Sequence, residues 1–117
     1  MSADGGIQRT HLERAREERA RFDRPENPDE RALSYLREGL WPVLERYIEA
    51  RSSGERLSEE EYEELEQALN VWLELYARSY GIEIDAAFSV REVSEVFVQT
   101  HDLRDTAQLL THVTTRR

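Results

Sequence analysis

Between Ser58 and Gly81 the apolar residues recur at three- and four-residue steps, so that Tyr62, Leu65, Leu69, Trp72, Leu73, Tyr76 and Tyr80 share one face of an α-helix. Ala68, Val71 and Leu75 widen that face to an arc of roughly 200°, about twice the stripe of an ordinary surface helix. A helix this apolar must be covered from two sides. Ser58 and Glu61 have the spacing of a capping box at its start. Gly81 followed by Ile82 has the signature of a Schellman stop at its end. The chain is therefore read as all-α, a small bundle of about four packed helices with this one at its centre.

The other helices are written in the same way. Thr10 and Glu13 form a capping box that opens a charged helix over 11–22. Its apolar content is only Leu12, Ala15 and Phe22, with Arg19 breaking the stripe, so it reads as a solvated arm that packs lightly. Asn27, Pro28 and Glu30 start a helix over 28–52, carrying Leu33, Leu36, Leu40, Leu44 and Tyr47 at helical spacing. Pro42 inside it should clash with the carbonyl of Glu38, and Gly39 softens the same turn, which predicts a kink or two short helices there. Ser52-Ser53-Gly54-Glu55 is a loop. Ser89 and Glu92 box a helix over 90–100, and Asp102 caps a last one over 103–114. The expected division is an N-terminal arm over 1–26, partly disordered through residues 1–6, and a compact helical domain over 27–117. Thr114 to Arg117 is expected to fray.

Length bounds the core to one domain, and composition narrows what it does. All 16 cations among the 117 residues are arginine, against 25 carboxylates, giving a net charge of −9. That balance disfavours coating nucleic acid. The absence of lysine points to a GC-rich coding sequence or to a high-salt cytosol, where the Debye length shrinks and an acidic surface stops repelling itself. No cysteine is present, which removes disulfides, thiolate nucleophiles and cysteine-based metal sites. The N-terminus lacks the pattern of a signal peptide and no apolar run has membrane-spanning length, so a cytoplasmic protein is expected.

Several constellations hint at chemistry. His101, Asp105 and His112 would line up on one continuous helix as two imidazoles and a carboxylate, the ligand set of a transition metal, but a cap at Asp102 breaks that continuity. The acidic run from Glu59 to Glu66 suits a helix first turn and a solvated face, and it lacks the glycine punctuation of a calcium loop. Arg9, Arg14, Arg16, Arg19, Arg21 and Arg24 could grip phosphate, yet Glu13, Glu17, Glu18 and Asp23 offset them. The two helices around Thr100-His101-Asp102 have the size of a helix-turn-helix, with Asp102 and Asp105 where base-contacting residues would sit. No phosphate loop, nucleophile elbow or zinc-protease helix is present.

These readings converge on a non-catalytic protein–protein interaction module, a small acidic helical adaptor or regulatory subunit that self-associates, with neither metal nor cofactor. The alternative is a helix-turn-helix DNA-binding transcriptional regulator. The flank formed by Ala68, Val71 and Leu75 is the expected partner-binding surface, unless the helices from Val90 and Leu103 cover it within the same chain.

Overall fold

In a computed structural model, residues 10–113 are described; the expectations for residues 1–6 and for Thr114 to Arg117 lie outside them. The elements are α1 (His11–Arg21), α2 (Pro28–Tyr35), a π turn (Leu36–Leu40), α3 (Trp41–Ser53), α4 (Glu59–Ser79), α5 (Val90–Thr100) and α6 (Leu103–Thr111). The helices form a flattened body whose thinnest dimension is 21 Å. The architecture is the all-α bundle that the periodicity predicts, built around α4.

Caps set the helix limits. Thr10 and Ser89 form complete capping boxes with Glu13 and Glu92, while Asn27 accepts from the Glu30 N–H and Asp102 from the Asp105 N–H. Ser58 forms only half of its box. It accepts the Glu61 N–H, but the Glu61 carboxylate is drawn away to Arg46. Arg46 forks to Glu55 at 2.6 and 2.9 Å and to Glu61 at 2.7 and 3.2 Å, tying α3, the loop and the start of α4 together. At the ends of α3 and α4, Gly54 and Gly81 both take φ of +79°, and Ile82 N–H reaches back to the Ala77 carbonyl as a Schellman stop requires.

The regular α-helix is interrupted ahead of Pro42, between Tyr35 and Trp41, where the sequence predicts a kink or two short helices. It widens there into a π turn, with the Trp41 N–H bonding the Leu36 carbonyl, and the chain continues through that turn from α2 into α3. Pro42 has no N–H to give to Glu38, whose carbonyl instead accepts from Arg14 Nη2 at 3.2 Å. Gly39 lies against the face of the Trp72 indole, where no β-carbon would fit. The turn thus solves two problems at once, the missing donor of Pro42 and the close approach of Trp72.

α1 departs furthest from expectation. It is packed along α4 and is not a solvated arm: Ala15 is fully buried, and Leu12 and Phe22 pack on the same core. Its first-turn Leu12 N–H donates to Glu64 Oε2 at 2.6 Å, Arg16 reaches Gln67, and the Arg78 guanidinium lies 5.4 Å over the Phe22 ring. These contacts run in step along both helices, so α1 and α4 are parallel. The reason is size: with alanine at its centre, α1 can approach the backbone of α4 closely, which a count of apolar residues does not reveal.

Candidate functional site

The flank expected to bind a partner lies inside the molecule. Ala68, Val71 and Leu75 are 0%, 7% and 1% exposed. They share the helix face of Glu64, Gln67 and Arg78, and that is the face along which α1 runs. The N-terminal helix runs over this face within the same chain, with the segment 86–88 beside Val71 at its edge.

Much of the acidity of α4 is also committed to structure. Glu66, Asn70 and Glu74 stand four residues apart and hold the segment before α5 through its backbone. Glu74 accepts the Ala86 N–H at 3.0 Å, Asn70 exchanges two hydrogen bonds with Phe88 at 2.8 and 2.9 Å, and Glu66 accepts the Val90 N–H at 3.2 Å. A segment outside any helix or sheet would otherwise leave these donors unpaired. Glu66, the last acid of the run read from sequence as a solvated face, is thus the first rung of a ladder that continues beyond it. The spacing 66, 70, 74 was visible; the segment that uses it was not.

Two of the concave surfaces on the described residues combine apolar and charged side chains away from α1. A groove of about 440 Å³ lies between α3 and α5, with Tyr47 and Ile48 on its floor, Val98 at its mouth, and Arg51, Arg91 and Glu95 around it. Val98 is 59% exposed. The Arg51 guanidinium sits 5.8 Å from the Tyr47 ring centroid and donates to its hydroxyl at 3.1 Å, which raises the arginine further above its ordinary pKa. The Arg46 fork beyond the end of this groove holds Glu55 below the ordinary carboxylate range.

A larger cleft, of about 590 Å³, opens where the π turn meets the end of α5 and the start of α6. Trp41 and Phe97 form its wall, their ring centroids 5.4 Å apart and inclined at 47°. Leu33 and Leu103 add apolar surface, and Arg37 and Arg104 line it with His101, Asp102 and Asp105.

His101, Asp105 and His112 do not come together as a ligand set. Asp102 caps α6, so His101 falls outside it, and each histidine closes a separate helix in the left-handed conformation, at φ of 56° and 62°. Among the described residues no group of three or more His, Asp or Glu side chains is placed to hold a metal ion. The repeated Thr-His pair at 100–101 and 111–112, which ends both helices alike, was legible in the sequence and escaped the reading. Of the residues that a recognition helix at α6 would offer to DNA, Arg104 and Gln108 are half-buried, Thr111 is buried and His112 is exposed. Among the described residues no helix is long and apolar enough to cross a membrane.

Residues 6–115 match the family described as Domain of unknown function (DUF8055), and the chain belongs to that family. No curated protein matches the chain, and no solved structure matches it.

Proposed function

We propose that this protein is a non-catalytic protein–protein interaction module, a small acidic helical adaptor or regulatory subunit that self-associates through the groove between α3 and α5 and works in a high-salt cytosol. The observation that carries this reading is Val98, a β-branched apolar side chain left 59% exposed at the mouth of a groove floored by Tyr47 and Ile48. Burying such a side chain contributes about 1.5 kcal/mol or more per copy. A two-fold contact also needs one patch to carry both signs of charge. Arg91 and Glu95, paired at 3.7 Å on the same edge of α5, supply them.

Two copies each of charge −9 repel at long range, so the association should tighten as salt screens that repulsion. Sedimentation equilibrium of the full chain and of Val98→Glu, in dilute buffer and in molar KCl, tests the reading. The expected result is a dimer that strengthens with salt and a Val98→Glu protein that is monomeric with an unchanged helical spectrum. A monomeric wild-type chain in both salts, or a variant that still dimerises, would overturn it.

A further inference from the structure

We propose that the cleft beside Trp41 binds a small organic anion with a flat apolar body, of which an aryl carboxylate is the simplest example. This site lies on the other side of α5 from the groove described above, since Phe97 faces the cleft and Val98 faces the groove.

The volume of about 590 Å³ falls within the range of small-molecule sites. The wall is aromatic, and the half-buried Trp41 and Phe97 rings offer a flat ligand a face to stack on. The case for an anion rests on the two guanidinium forks, since the two arginines and two aspartates of the lining balance in charge. No carboxylate of the described residues lies in ion-pair distance of Arg37 or Arg104, so both guanidiniums keep their forks open for a carboxylate. Of the two acids nearby, Asp102 is already committed, its Oδ1 accepting the Asp105 N–H at 2.8 Å. The lining thus carries two arginines and two aspartates, and what distinguishes the arginines is that neither is held in an ion pair among the described residues.

The rim is also fixed before any ligand arrives. The Thr100 hydroxyl accepts the Asp102 N–H at 3.1 Å and meets the Thr106 hydroxyl at 2.8 Å, while Thr106 donates to the Asp102 carbonyl at 2.8 Å. This hydroxyl chain pins the His101–Asp102 turn. On the opposite side the π turn sets Arg37 and Trp41 on the same wall. A rigid site avoids the ordering cost of forming one on binding.

The two tryptophans make the test specific, because Trp41 lines the cleft and Trp72 is buried in the core. The full chain is titrated with 1-naphthoate, and the two indole N–H resonances are followed by NMR, with naphthalene-1-methanol and 1-naphthylmethylamine as neutral and cationic probes of the same body. Expected is a saturable shift of the Trp41 resonance with Trp72 unmoved, weaker binding of both control probes, and affinity about tenfold lower in Arg37→Gln and in Arg104→Gln. No saturable Trp41 shift at millimolar naphthoate, equal binding of the three probes, or indifference to both arginine substitutions would each overturn the assignment.

Discussion

Gly39 lies directly against the indole of Trp72. A β-carbon there would overlap the ring of Trp72, which is itself packed against Tyr35 at 5.9 Å and has no space to retreat into. Gly39→Ala should cost about 2–3 kcal/mol in urea unfolding, the range for overpacking a core. Gly81→Ala meets open space and should lose only about 1 kcal/mol, through its left-handed φ. Tyr76 makes a different kind of prediction. Burial, reinforced by the neighbouring Tyr80, pushes its hydroxyl up to about 12, and it donates to the Val113 carbonyl at 2.8 Å. The unfolded chain releases this proton near pH 10, so the contribution of Tyr76 is complete below pH 10 and is lost as pH rises towards 12. Tyr76→Phe should flatten that alkaline limb in pH-dependent unfolding and, at neutral pH, cost about 1 kcal/mol for the lost hydrogen bond. Neither residue advertised its role: the sequence marked Gly39 only as a soft turn and Tyr76 only as one apolar position among seven.

At the scale of elements, the sequence was most legible where structure is local. Caps at Thr10, Asn27, Ser58, Ser89 and Asp102 and the stop at Gly81 are written in residues a few positions apart, and all six are present, the Ser58 box only in its first half. What could not be read were long-range contacts. The Glu64 side chain that meets the start of α1 is 52 positions away in sequence, and the Arg14 that satisfies the carbonyl orphaned by Pro42 is 24 away. Without those partners α1 counts as a charged arm with three apolar residues, and the Ala68–Val71–Leu75 flank counts as exposed. Putting charge there separates the two pictures. Val71→Glu with Leu75→Glu should abolish the cooperative helical transition followed by circular dichroism, because two carboxylates would be buried without partners. A folded double variant that merely failed to associate would return the flank to the surface.

Charge is distributed unevenly over the whole molecule, with −1 on residues 1–57 and −8 on residues 58–117. Screening this crowding should raise the midpoint of thermal unfolding markedly between dilute buffer and molar KCl, whereas a flat response would leave coding bias as the source of the missing lysine. At this scale the central structural feature is that α1 belongs to the core and packs along the apolar face of α4. Residue-resolved native-state hydrogen exchange tests it most directly. If α1 is part of the cooperative unit, the amides around Ala15 should open with free energies within about 1 kcal/mol of those around Leu69 in α4. Amides of α1 exchanging at nearly unprotected rates, while those of α4 keep full protection, would contradict it.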